Sequence, residues 1–224
     1  MKRSEINALI HDAIAVLKRY QVNLPAFAFW SPETWRFKGS ECDEIRACKL
    51  GWDITDFGSG AFEKIGLVVF TVRNGHHEIL PWINKPYAEK ILIVREDQHT
   101  PMHHHRVKSE DIICRNGGNL LIRLFNEAAD GGLDQSDVVV YLDGERHSVP
   151  AGHVFRLEPG MSITLTPNLF HEFWTEPGTG TAVVQEISSV NDDDGDNIFL
   201  GTVGRFPEIE EDAPISYLLC TEYA

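Results

Sequence analysis

The sequence predicts an all-β jelly-roll barrel behind a helical N-terminal extension. Three observations carry this. From residue 67 onward, short β-rich runs alternate with turn residues at fairly even spacing. No helical pattern alternates with those runs, which argues against a parallel α/β sheet. One amphipathic pattern occupies the first twenty residues and nothing comparable follows.

In chain order, Ile6, Leu9, Ile10, Ala13, Leu17 and Tyr20 recur at helical spacing, with Ser4 as N-cap and Glu5 in the first turn. Ser31-Pro32-Glu33 reads as a cap followed by proline at the first helical position. Ser40 caps a second short helix ending near Gly51, and Gly51 to Gly66, rich in Gly and Asp, reads as irregular. The expected strands are Leu67–Arg73, Lys90–Arg95, Met102–His105, Asp111–Cys114, Leu120–Phe125, Val138–Leu142, Glu145–Val149, Ser162–Thr166, His171–Thr175 and Thr181–Ser188. Asp143-Gly144 between two of them is a hairpin signal, and Asn116-Gly117-Gly118 and Glu158-Pro159-Gly160 mark further turns. A double-sheet jelly roll is the natural closure. One domain, 1–224, is expected: an extension at 1–60, a jelly-roll core at 65–190, and a C-terminal loop and strand at 191–224.

Composition narrows the partners. The net charge of −14 disfavours nucleic acid and anionic membrane surfaces. No apolar run approaches a membrane span, and Met1-Lys2-Arg3 is followed by Glu5, Asn7, His11 and Asp12, unlike a signal-peptide core. A cytoplasmic protein is expected. Cys42, Cys48, Cys114 and Cys220 form no C-x-x-C pair and read as buried or partly buried free thiols. The tryptophans 30, 35, 52, 82 and 174 read as packing residues rather than sugar-stacking platforms.

The most informative stretch is His103-His104-His105-Arg106-Val107-Lys108-Ser109-Glu110. On a strand, side chains two apart share a face, so His103 and His105 converge while His104 points away. Glu110 arrives from the next turn, and imidazole with carboxylate suits a divalent first-row metal. With Gly117 the pattern is H-x-H-x4-E-x6-G, which resembles the first metal motif of the cupin family. Asp97 stands where that motif begins with glycine. The best fourth ligand is His171, which opens a strand after the turn Pro167-Asn168; the glycine usual before this histidine is absent and the spacing is one residue short. The order His103, His105, Glu110, His171 is the cupin order. Such a set leaves two adjacent positions of an octahedral ion for two oxygens of one substrate, and Mn²⁺, Fe²⁺, Co²⁺, Ni²⁺ and Zn²⁺ all accept it.

Other residues have two readings each. Glu186 could point into the barrel and act as a base, or be an edge charge. Lys108, between His105 and Glu110, could polarise a substrate oxygen or be solvated; Lys90 is a weaker candidate. Asn191 to Asn197 looks like a calcium loop, but Gly195 at the sixth position puts Val190 and Gly201 where carboxylates are required. It reads as a solvated acidic turn, or as a polar loop that hydrogen-bonds a polyol.

Four blocks resemble the D-lyxose isomerases, a cupin-type family of aldose–ketose isomerases: residues 51–58, 70–75, 103–118 and 186–197. The resemblance implies a homodimer acting on a small sugar, with Mn²⁺ on His103, His105, Glu110 and His171. It implies interconversion of D-lyxose and D-xylulose, and of D-mannose and D-fructose, through a metal-bound cis-enediol. Glu186 and Lys108 are the expected catalytic residues, and Lys90 and Asp193 the expected substrate contacts. A cupin dioxygenase with non-haem iron and a non-catalytic sugar-binding cupin are the alternatives.

Overall fold

A computed structural model describes residues 1–76, 83–192, 195–201, 203–204 and 207–223. Trp82 and Asp193 lie outside the described residues. The helices are α1 Arg3–Arg19, α2 Pro32–Trp35 and α3 Asp43–Ala47. The strands are β1 Gly51–Thr55, β2 Leu67–Arg73, β3 Tyr87–Val94, β4 His99–His105, β5 Glu110–Gly117, β6 Leu120–Glu127, β7 Leu133–Asp134, β8 Val138–Leu142, β9 Glu145–Val149, β10 Val154–Leu157, β11 Ser162–Leu165, β12 Leu169–Thr175, β13 Ala182–Ser189 and β14 Asn197–Phe199.

Among the described residues they form two antiparallel sheets. One has the order β1-β2-β3-β13-β5-β11-β8-β9, the other β10-β6-β12-β4-β14, with β7 on β6. This is the expected double-sheet jelly roll. The expected turn closes β8 onto β9, with Asp143 and Gly144 both at positive φ (48° and 86°) and Leu142 paired to Glu145.

Two apolar cores hold the fold. Between the sheets lie alternate residues of each strand, among them Ile112, Leu120, Ile122, Leu124, Val138, Val140 and Ile163. Outside the larger sheet, α1 lays Ile6, Leu9, Ile10, Ala13 and Leu17 on Trp52, Ile54, Val68, Phe70, Ile91 and Ile93. Each large aliphatic buried here contributes about 1.5–3 kcal/mol. The larger sheet is thus apolar on both faces where the helix covers it, so Leu67 to Phe70 and Ile91 to Val94 read as continuous apolar runs rather than alternating ones.

Several expectations need correction. Gly51–Thr55 is a buried edge strand, not irregular: its register with Leu67–Thr71 supplies ladder bonds, and the α1 core covers it. Ser4 does not cap α1 from the N-cap position. The helix starts at Arg3, and Asp212 from the far end of the chain accepts from the Ser4 amide (2.8 Å) and hydroxyl (2.7 Å). Arg3 is fully buried and paired with Glu211 (2.7 Å) and Glu222, tying the helix to the C-terminal segment. The Ser40 helix is a 3-10 turn, Ser40–Cys42, followed by α3, with no side-chain cap. β10, unmarked in the sequence, pairs with β6. Ser31 caps α2 as expected, accepting from the Thr34 amide at 3.2 Å, and all four cysteines are buried free thiols.

Candidate active site

The pleat of β4 turns His103 and His105 inward and His104 outward. His103 is directly paired with His171 of β12, and its ring centroid lies 4.2 Å from that of His171. His171 does not open its strand: β12 begins at Leu169 because Leu169 and Phe170 already pair with Asn126 and Phe125 of β6. The imidazoles of His103, His105 and His171 each offer a nitrogen within 4.8 Å of the others, and all three residues are buried. His104, on the other face, packs edge-on to Phe170.

Backbone carbonyls orient two of these rings. His103 Nδ1–H donates to Pro101 O at 2.7 Å, and His171 Nδ1–H donates to Leu169 O at 3.0 Å. Each bond fixes the tautomer and leaves Nε2 as a lone-pair donor facing inward. Glu110, at the start of β5, places Oε1 3.3 Å from His105 Nε2 and 3.2 Å from His171 Nε2. His171 Nε2 is nevertheless a buried atom with no hydrogen-bond partner. A fully buried acceptor in that state calls for a cation, and a set of imidazole nitrogens with a carboxylate fits a divalent first-row ion.

A second charged group adjoins this one across the barrel. Lys108, on the turn between β4 and β5, contacts Glu110 Oε2 at 2.7 Å and Glu186 Oε1 at 2.8 Å. Glu186 projects inward from β13, opposite Lys90 of β3, whose Nζ is 3.7 Å from the same Oε1. All four of these side chains are buried. The inward reading of Glu186 therefore holds, and neither lysine is solvated.

Burial and neighbours set the charges. His103 is held well below the usual imidazole range by burial, then by His171 and His105. Burial also lowers His105, helped by the Lys108 ammonium. For Glu110 burial opposes ionisation, but Lys108 and His105 outweigh it and keep the carboxyl well below its ordinary range. For Lys108 burial opposes the charge, and Glu110 with Glu186 overcomes it, raising the ammonium above the usual lysine value. The result is neutral His103 and His105 beside an ionised carboxylate–ammonium pair, Glu110 and Lys108.

The segment after β13 fastens both lysines, and sequence reasoning missed how. Asn191 Oδ1 accepts from Lys90 Nζ at 2.5 Å, and Asn191 exchanges hydrogen bonds with Asn74. Asp196 accepts from the amides of Val107 (2.8 Å) and Lys108 (3.0 Å). The polar loop seen in the sequence was the signal, and within it Asn191 serves Lys90 and Asp196 serves the turn that carries Lys108. Asn197 and Phe199 of β14 enter the cavity, and the Phe199 ring stacks on His103 at 5.3 Å. Phe57, Leu67, Val69, Leu92 and Phe173 line the cavity together with the histidines, Glu110, Glu186 and both lysines.

The fold sets the class. An L-ribose isomerase of Acinetobacter sp. DL28, solved with L-ribose, superposes over 94% of this chain and 98% of its own with a TM-score of 0.62 at 14% identity. One from Cellulomonas parahominis, also with L-ribose, gives 0.61 at 15% identity and the same coverage. These likenesses identify a cupin-like β fold. At the sequence level, D-lyxose/D-mannose isomerases of Serratia proteamaculans and Escherichia coli O157:H7 are 47% and 46% identical over the full 224 residues, covering 98% of each relative. The chain matches the D-lyxose isomerase family over residues 1–223 and belongs to it. It is a sugar isomerase, an intramolecular oxidoreductase, which removes the dioxygenase and non-catalytic readings. No helix among the described residues is long and apolar enough to cross a membrane.

Proposed function

We propose that this enzyme interconverts D-lyxose with D-xylulose, and D-mannose with D-fructose, by moving a proton between C2 and C1 through a cis-enediol. The observation that carries the reading is Glu186, a carboxylate buried in the same cavity as the three histidines and held there by two lysines. Family membership and the names of the two full-length relatives support the choice of sugars.

His103, His105 and His171, with Glu110, would hold a divalent ion, Mn²⁺ in this proposal. When bound, it supplies Lewis acidity that polarises a carbonyl and offsets negative charge developing on oxygen. The protein's own groups do the rest. Both lysine contacts of Glu186 engage Oε1, so Oε2 is the atom that takes the C2 proton and returns it to C1. The reaction is redox-neutral overall: C1 is reduced, C2 oxidised, and no co-reactant is consumed. Lys108, kept protonated by its two carboxylate neighbours, donates toward the enediolate oxygen. Lys90 contacts the substrate, and Asp193 is proposed as a further contact on sequence grounds. The apolar residues of the cavity strengthen the electrostatic interactions made inside it. A cytoplasmic homodimer belongs to the same proposal and rests on the resemblance alone.

The test is a ketose assay on D-lyxose and D-mannose with chelated and Mn²⁺-reloaded protein, repeated in deuterium oxide. Ketose formation restored by the ion, with solvent deuterium entering the product, is expected. Turnover insensitive to chelation would remove the ion from the scheme, and complete absence of solvent label would favour a hydride shift.

A further inference from the structure

Thr100 is a buried hydroxyl with nothing to bond. It sits on β4 three residues before His103, is 2% exposed, lines the catalytic cavity, and its Oγ1 has no hydrogen-bond partner. Its cross-strand neighbour is Phe173, and Leu67, Val69 and Leu92 line the same cavity. Buried polar groups in folded proteins are almost always paired, and a valine of nearly the same shape would serve packing at that position better. A threonine kept there without a partner is explained if its partner arrives with the substrate.

We infer that Thr100 Oγ1 hydrogen-bonds a hydroxyl of the sugar chain away from the reacting C1–C2 end, and so helps to select the substrate. The chemical class recognised is a polyhydroxylated aldose or ketose. The inference rests on the sugar-isomerase reading and adds a specificity residue outside the metal and proton-transfer groups. Thr55 also lines the cavity, but its Oγ1 already accepts from the Phe57 amide at 2.9 Å, whereas the Thr100 hydroxyl is left without a partner. A site with one such group discriminates strongly against a substrate that cannot satisfy it.

Thr100→Val separates function from fold because the two effects have opposite sign. Removing an unpaired buried hydroxyl should raise the Tm of the sugar-free protein by about 2 °C or more. The same change should raise KM for D-lyxose by roughly tenfold, with kcat changed far less. Thr100→Ser, which keeps the hydroxyl, should keep KM near the parent value. An unchanged KM in Thr100→Val, or an equal rise in Val and Ser variants, overturns the inference, even if the parent isomerises D-lyxose normally. Should the parent form no ketose, the isomerase reading fails instead. Calorimetric titration with D-lyxose then still decides on Thr100, since equal affinity for parent and Thr100→Val would refute it.

Discussion

Glu186 shows how much one side chain draws from its surroundings. A strand alternation places it on the same face as Val184, and only the barrel closure decides that this face is the interior. There it meets Lys108 at 2.8 Å and Lys90 at 3.7 Å, two partners that offset the cost of burying a carboxyl group. Glu186→Gln keeps the shape and removes the proton acceptor. It should bind metal as the parent does while kcat falls by about 10²–10⁴-fold, the range of a lost general base; metal analysis alongside steady-state kinetics checks this, and a near-parental kcat would move the base elsewhere. His103 and His105 were legible from spacing, because an alternating pair followed by a carboxylate has few other uses, whereas His171 was reached only through its likeness to the second cupin motif. The contacts of Asn191 and Asp196 were not legible, since a run of Asp and Asn in sequence says nothing about which amide each acceptor meets.

At the scale of elements, two backbone features set the site. The turn from β4 to β5 carries Lys108, and Asp196 from the segment before β14 clamps it through two amides. Asp196→Ala releases that clamp without touching an imidazole. Metal content should hold while kcat drops roughly tenfold to a hundredfold, the scale of a misplacement of about an ångström; equal kcat values would mean that the turn is held by its strands alone. The second feature is Gly117, which closes the metal motif. Its φ is +84°, and a Cβ there would stand 2.2 Å from the carbonyl oxygen of Thr181. The motif's glycine is thus a requirement of the β5–β13 edge rather than of the metal. Gly117→Ala should cost about 1–3 kcal/mol from the backbone conformation alone, and more from the clash. Urea denaturation measures it, and an unchanged midpoint would contradict the geometry. Of the strands missed in sequence, β1 sets buried Asp53 and Thr55 against Trp52 and Ile54, so its inner face carries no apolar signal, and β7 and β10 are only two and four residues long.

For the whole molecule, the jelly roll joins distant segments and gives the site a pH signature. His103 and His105 are held below their ordinary value of 6.5 in the folded state and return to it on unfolding. Above that pH both states are neutral and these histidines add no slope. As pH falls below it, the unfolded chain takes up protons that the folded chain refuses, so stability declines. The metal-free parent should therefore lose Tm on acidification from neutral pH to about pH 5.5 more steeply than His103→Gln. Parallel curves for the two proteins would show that His103 titrates alike in both states. The same closure ties the chain ends together: Arg3 is buried against Glu211 and Glu222, and the Met1 amine donates to the Glu208 carbonyl at 2.7 Å.

What the sequence determined by itself was periodic or local. Strand alternation, the hairpin at Asp143-Gly144, the amphipathic face of α1 and the spacing of His103, His105 and Glu110 follow from backbone geometry over a few residues. Tertiary structure alone decided which groups meet: His171 against His103, Glu186 between two lysines, Asp196 on the Lys108 turn, Asp212 on the first turn of α1. Those contacts join residues dozens to hundreds of positions apart. Their formation depends on which face of each sheet the apolar cores claim, and no local pattern encodes that choice.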